Sequence, residues 1–262
     1  MREYKRIVVK IGTSTLTHDT GRLDLERLDK LARVLSDLKN GGREVILVTS
    51  GAVGTGVATL RLDGRPESLS GKQAAAAVGQ CRLMHVYDKL FAEYGHTVAQ
   101  ILVTRHDLTD PERGGPLLET FQALLAWDVL PVVNENDSVC PDEIQPGQNV
   151  SGENDTLAAL AAALVSADLL ILLSDCDGFY TGDPRTDPDA QKIHRVSAVT
   201  EELRRYSGGA GTAQGTGGMV TKLAAAEIAL EKGFPMVMAR GKDPAVLYQV
   251  LRGEDVGTVF AR

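Results

Sequence analysis

Short apolar runs alternate along the chain with longer segments whose leucines and alanines recur at helical spacing. Arg6–Lys10, Glu44–Thr49, Thr97–Val103, Val129–Val133, Leu169–Leu173 and Pro235–Met238 carry the short runs, several rich in Val and Ile, and read as strands. Between the first two, Leu25, Leu28, Leu31, Ala32, Leu35 and Leu38 predict a helix, with Asp24 as its N-cap and Asn40-Gly41-Gly42 as its stop. Further helices are predicted over Ser70–Glu93, Leu117–Trp127, Thr156–Ala167, Val220–Lys232 and Pro244–Arg252. Such alternation implies an α/β fold, a mainly parallel sheet with helices on both faces. Neither a tandem repeat nor a low-complexity linker interrupts it, so residues 1–262 read as one domain. The glycine-rich stretch Gly208–Gly218 is expected to be a mobile loop.

Composition narrows the function. The 262 residues are 43% hydrophobic and carry 28 basic against 35 acidic side chains, a net charge of -7. That balance excludes a basic, phosphate-coating nucleic-acid binder, so an anionic ligand must be held by a few placed cations and backbone N–H groups. An aromatic share of 5% argues against stacking platforms for single strands. The three cysteines, Cys81, Cys140 and Cys176, are too scattered for a disulfide framework or a zinc site, which suits a reducing cytoplasm. Ile7-Val8-Val9 is too short for a signal-peptide core, and the longest apolar run, Leu157–Val165, is too short for a membrane span. The expectation is a soluble cytoplasmic protein without nucleic-acid or membrane partners.

Familiar motifs fail. The nearest Walker A candidate, Gly64 through Gly71-Lys72, has the wrong glycine spacing and Gln73 after its lysine. Gly209-x-Gly211 is followed by Gln214 where a dinucleotide fingerprint needs its third glycine. Asp175-Cys176-Asp177-Gly178 lacks an oxygen ligand that a calcium loop needs, and the five histidines form no H-x-x-x-H. No metal site is predicted, and His18, His85, His96, His106 and His194 are read as surface or loop residues. No G-x-S-x-G supports a serine hydrolase.

What remains sits at strand ends. The first strand runs into Lys10-Ile11-Gly12-Thr13-Ser14, the second into Thr49-Ser50-Gly51-Ala52, the fourth into Asn134-Glu135-Asn136-Asp137 and the fifth into Ser174-Asp175. Open α/β sheets bind ligands at that edge. Glycines let backbone N–H groups approach a phosphate there, and Gly215-Thr216-Gly217-Gly218 before a helix carrying Lys222 has the same character. Singly, a lysine at a strand end snorkels to water and Ser-Gly is a turn. Two lysines, glycine loops and carboxamides at one sheet edge point instead to a phosphate-handling site.

In these stretches, together with Lys72-Gln73, Ala77-Val78-Gly79-Gln80, Asn154-Asp155, Gly178-Phe179-Tyr180-Thr181, Asp183-Pro184-Arg185 and Met219 with Thr221-Lys222, the chain resembles the amino acid kinase family, most closely its glutamate-phosphorylating members. The resemblance implies a three-layer αβα sandwich with a central, mainly parallel eight-stranded sheet. It implies ATP-dependent phosphorylation of the γ-carboxylate of L-glutamate, giving glutamyl 5-phosphate for proline synthesis, with Mg2+ accompanying ATP. By that likeness Lys10 and Lys222 contact transferring phosphate oxygens and Asp155 holds both lysines. Ser50, Gly51, Asn134, Asp137 and Asn154 would bind glutamate. Lys10, Gly12, Ser174, Asp175, Thr216, Gly217, Gly218, Met219, Val220, Thr221 and Lys222 would line the nucleotide site. A homodimer or tetramer is implied, and a glutamyl phosphate reductase is a possible partner. Three places depart from the family pattern: Gly152-Glu153-Asn154-Asp155 with a longer loop, Gln145–Ser151, before it; Arg113-Gly114-Gly115-Pro116; and an end soon after Phe260, without the C-terminal PUA domain of many relatives.

A glutamate side chain, with a pKa of about 4.3, is ionised at neutral pH and needs no base, which fits a site without a poised histidine. The obstacle is repulsion between anions: at ~4 Å and an effective dielectric of about 20, each unit-charge pair opposes approach by about 4 kcal/mol. Two lysines, Mg2+ and loop N–H groups would offset it. An acceptor ammonium group suits Asp137 and the carboxamides, which supports glutamate or aspartate over acetylglutamate without choosing between the first two. A catalytically silent ATP or amino-acid sensor would be expected to have lost Lys10, Lys222 or Asp155, and all three are present.

Overall fold

The computed structural model describes residues 4–18, 20–140, 153–207 and 217–262. β1 (Arg6–Ile11) is buried from Ile7 onward, as a central parallel strand with helices on both sides must be, and Gly12 opens the single turn α1 (Thr13–Leu16). α2 (Leu25–Asn40) starts where Asp24 accepts from the Arg27 N–H and buries its Leu28, Leu31, Leu35 and Leu38 stripe. β2 (Glu44–Val48) leads through Thr49-Ser50-Gly51 into α3 (Ala52–Leu60), and α4 (Leu69–Glu93) follows. α3 and α4 cross on glycines: a Cβ on Gly56 would lie 1.8 Å from the Ala75 carbonyl oxygen, and one on Gly79 equally close to that of Ala52.

β3 (Val98–Val103), the short α5 (Arg105–Thr109), α6 (Pro111–Ala126) and β4 (Leu130–Glu135) complete the first half. α7 (Glu153–Leu164) and β5 (Leu169–Ser174) open the second. A small ribbon of β6 (Phe179–Tyr180) and β7 (Lys192–Ile193) stands apart from the main sheet. The chain continues through β8 (Arg195–Val196), α8 (Glu201–Tyr206), α9 (Gly217–Lys232), β9 (Met236–Arg240), α10 (Val246–Arg252) and β10 (Gly257–Phe260).

The main sheet has eight strands in the order β3-β4-β2-β1-β5-β9-β10-β8. Six run parallel; β10 pairs antiparallel with β9 and carries β8 with it. On one face Ile7, Val9 and Ile11 of β1 join a core with α2, α4 and α10. On the other, Val8 joins a core with residues of α5 to α9. These are the two helical layers of an αβα sandwich. Because strand side chains alternate, Lys10 shares the face of Val8, toward α7 and α9. Among the described residues no helix is long and apolar enough to cross a membrane.

The hydrophobic pattern finds six of the sheet strands. β8, with two residues, and β10, which begins with Gly257-Thr258, are too short and too mixed to show a period. It also overlooks α3 and the short helices α1, α5 and α8, and it starts α6 six residues late because Gly114, Gly115 and Pro116 disguise an N-terminus built on Asp110 and Pro111. His96 lies on the turn into β3, a loop histidine as expected, and is buried there. The loop Gln145–Ser151 and the glycine-rich stretch up to Thr216 lie outside the described residues.

Candidate active site

Parallel pairing aligns the strand ends. Lys10 is level with Val48 of β2 and Leu172 of β5, and Val48 with Val133 of β4, so Gly12, Ser50, Asn134 and Ser174 all gather at one edge. β1 lies between β2 and β5, which divides that edge into two polar halves flanking Lys10.

Asp155 sits in the first turn of α7, where the helix dipole favours a carboxylate. The buried alanines of α7, Ala158, Ala159, Ala161 and Ala162, share one core cluster with Ala225, Ala226 and Ala229 of α9. Small side chains allow two helices a close approach, and this brings Lys222 to Asp155. Lys10 Nζ lies 2.5 Å from Asp155 Oδ1 and Lys222 Nζ 3.2 Å from Oδ2. Thr221 Oγ1 donates to the same Oδ2 at 3.2 Å, and Lys222 Nζ also donates to the Gly218 carbonyl at 3.0 Å. α9 begins three residues before the predicted start, so Lys222 occupies its second turn rather than its first.

Asp155 is fully buried and Lys10 is 5% exposed. Burial alone would raise the Asp155 carboxyl, but the charges of Lys10 and Lys222 outweigh it and hold the group below the ordinary carboxylate range. Burial pulls the Lys10 ammonium below its ordinary range; Asp155 resists that pull and Lys222 adds to it. The trio of Lys10, Asp155 and Lys222 by itself carries one net positive charge, and Asp175 is a further carboxylate close enough to act on both lysines. A Cβ on Gly12 would lie 3.4 Å from Lys10 Nζ and one on Gly218 3.5 Å from Lys222 Nζ, so both glycines keep space open around the ammonium groups.

On the β2–β4 side, Asn154 Nδ2 donates to Ser50 Oγ at 3.1 Å and to Asn134 Oδ1 at 3.2 Å, and Ser50 Oγ donates to the Ile11 carbonyl at 3.3 Å. Gly51 holds φ at +90°, a left-handed conformation that favours glycine, and a Cβ there would also press on Thr13 Cγ2 at 3.3 Å. Asp137 is half-buried on the turn that follows β4.

On the β5 side, Ser174 Oγ donates to Asp175 Oδ1 at 3.0 Å. Burial works to raise the Asp175 carboxyl, but the Ser174 bond, nearby N–H groups and the Lys222 charge lower it on balance. Gly217, Gly218, Met219 and Val220 form the first turn of α9, Val220 half exposed on its outer side. Thr216 lies outside the described residues. Among those described, no group of three or more His, Cys, Asp or Glu could cage a metal ion. Two residues without a role in the sequence pattern join this side: Asn134 Nδ2 donates to Gln80, which in turn donates to Gln100 of β3; for Gln80 the one available signal is a glutamine within an alanine-rich helix.

The chain matches the amino acid kinase family over residues 5–240. It is 51% identical over 260 residues to glutamate 5-kinase of Clostridium perfringens (strain 13 / Type A), covering 99% of this chain and 96% of that one. It is 53% identical over 262 residues to glutamate 5-kinase of Symbiobacterium thermophilum, covering 100% of this chain and 98% of the other. Against glutamate 5-kinase of Caldanaerobacter subterraneus subsp. tengcongensis, 51% identity extends over 97% of this chain but 67% of that protein. Among solved structures, isopentenyl phosphate kinase of T. acidophilum superposes with a TM-score of 0.66 at 18% identity, covering 97% of this chain and 99% of that one. UMP kinase of Ureaplasma parvum gives 0.66 at 15%, over 99% and 100%. At such identities the likeness concerns the fold alone.

Proposed function

The chain belongs to the amino acid kinase family, and from that premise we propose that it transfers the γ-phosphoryl group of ATP to the γ-carboxylate of L-glutamate, giving L-glutamyl 5-phosphate, the first step of proline biosynthesis. One observation carries the reading: ammonium groups from β1 and α9, 212 positions apart in sequence (222 minus 10), meet on one buried carboxylate where four parallel strands end.

Glutamate enters as its own nucleophile, because its carboxylate is already ionised. The work left to the protein is to bring two anions together and hold them in line. Lys10, at the boundary of the two halves, and Lys222 oppose the charge repulsion and stabilise charge on the transferring oxygens. Asp155 aims both amines while leaving them a net cation. Ser50, Gly51, Asn134, Asp137 and Asn154 hold the amino acid on the β2–β4 side. Gly12, Ser174, Asp175 and the segment from Thr216 through Gly217, Gly218, Met219, Val220 and Thr221 to Lys222 hold ATP on the other. Mg2+, which neutralises phosphate charge, would be held mainly by the nucleotide's oxygens and water, with the exposed, ionised Asp175 as the fitting carboxylate. The product is a labile acyl phosphate, so a reductase that consumes it promptly is the natural partner, and the enzyme acts as a homo-oligomer.

Incubation with ATP, Mg2+ and one acceptor at a time, followed by hydroxylamine trapping, tests the reading. Hydroxamate is expected with glutamate and not with acetylglutamate; hydroxamate with aspartate in preference to glutamate would overturn the acceptor, and none with any amino acid would overturn the reaction.

A further inference from the structure

A run of amides crosses the acceptor side of the site. Gln80 Nε2 donates to Gln100 Oε1 at 3.1 Å, and Asn134 Nδ2 donates to Gln80 Oε1 at 2.8 Å. Asn154 Nδ2 then donates to Asn134 Oδ1 and to Ser50 Oγ. Carboxamides can usually turn either end outward, but here the direction is fixed. The main-chain N–H of Glu135 can only donate, and it donates to Asn134 Oδ1 at 2.9 Å. That anchors the oxygen end of Asn134, so its nitrogen must find an acceptor in Gln80. At the other end, Ser50 spends its proton on the Ile11 carbonyl, so both neighbours of Asn154 present acceptors and its nitrogen must face them. The consequence falls on Asn154 Oδ1, which is buried with no hydrogen-bond partner in the described structure.

A buried carbonyl oxygen of this kind is a ready acceptor for a cationic N–H donor, and charge assistance makes such a bond about twice as strong as a neutral one. We propose that Gln80, braced by Gln100, is a positioning residue that favours acceptors bearing a free ammonium group, because it holds Asn134 and thereby keeps the oxygen of Asn154 without a protein donor and available to that ammonium group. The inference rests on glutamate being the acceptor. It adds a residue of α4 that touches neither substrate in this arrangement and acts through two amides. Gln80 is 7% exposed, so no water substitutes easily for its oxygen. With the oxygen removed, Asn134 Nδ2 is stranded, and turning that amide over to satisfy it breaks the bond from Glu135 and pushes Asn154 to reorient.

The test compares wild type with Gln80→Leu, Gln80→Glu and, at an exposed position outside the core, Gln100→Ala, in the hydroxylamine assay. Gln80→Leu is expected to raise KM for glutamate roughly tenfold, with kcat and KM for ATP within about twofold of wild type. The inhibition constant of glutarate, the same dicarboxylate without the ammonium group, is expected to stay unchanged. Gln80→Glu keeps an oxygen for Asn134 and restores KM, and Gln100→Ala shifts KM in the same direction by less. A parallel loss of glutamate and glutarate affinity, an equal rise in KM for ATP, or no recovery in Gln80→Glu would overturn the proposal. If Gln80→Leu fails to fold, Gln100→Ala decides, and a wild-type KM for glutamate in it refutes the relay. Wild-type protein that makes no glutamyl hydroxamate would instead sink the proposed function, and this inference with it.

Discussion

Replacing Lys10 with methionine removes one charge while keeping most of the side chain's apolar stem. Lys10 is 5% exposed on the central strand, so methionine refills much of its volume. The remaining partners limit the structural damage. Asp155 keeps Lys222 at 3.2 Å and the Thr221 hydroxyl at the same distance, so its carboxylate is not stranded. The stability cost should therefore fall below the ~3–5 kcal/mol typical of stripping a buried ion of its only partner. The catalytic cost is larger. One unit charge at ~4 Å from the transferring oxygens, at an effective dielectric of about 20, accounts for about 4 kcal/mol, or roughly 10³ in kcat. Hydroxamate formation measures the rate, and a thermal unfolding scan shows whether the fold survives. A folded Lys10→Met protein turning over within tenfold of wild type would refute the assignment of that charge to the reaction.

Asp155→Asn should shift the alkaline limb of the pH–rate profile to lower pH. Asp155 opposes the burial that depresses the Lys10 pKa, and without it the ammonium loses its proton sooner as pH rises; an unshifted limb would contradict this. Gly79→Ala should destabilise the protein by at least ~2 kcal/mol in urea titration, since the new methyl would meet the Ala52 backbone at the α3–α4 crossing, whereas Gly64→Ala, with nothing within 4 Å, should be close to neutral. Asp107, which burial would raise but which Arg113 and the Thr104 N–H and hydroxyl hold at about 2, should contribute roughly 1–2 kcal/mol at neutral pH after allowance for solvent screening. Its folded pKa lies below the unfolded value of 3.8, so that contribution is complete above pH 3.8 and fades as pH falls through about 2. Urea titrations of Asp107→Asn and wild type should thus converge on acidification.

The parts of the fold visible in the sequence are those where burial is two-sided and continuous. β1 and β5 are unbroken apolar runs because helices cover both faces, and α2 announces itself by one leucine stripe and two end signals. α3 escapes because its opening residues, Ala52-Val53-Gly54-Thr55-Gly56, are chosen for a close crossing with α4 rather than for helix propensity. In the site, Lys10, Ser50, Asn134 and Ser174 were legible because a polar residue at the end of an apolar strand is conspicuous. The pairing of Lys222 with Asp155 is a tertiary fact: it depends on the alanine faces of α7 and α9 meeting, which no local period encodes. Gln80 carries no such signal, because its purpose appears only with Gln100 and Asn134 on either side of it.

A structure determined with a non-hydrolysable ATP analogue, Mg2+ and glutamate would show where the transferring phosphate sits. The γ-phosphate is expected within hydrogen-bonding distance, ~3 Å, of both Lys10 Nζ and Lys222 Nζ, with the amino acid against Asn154 and the nucleotide along the β5 and α9 side. A γ-phosphate bound away from either lysine, or the two ligands in each other's halves of the sheet edge, would contradict that arrangement.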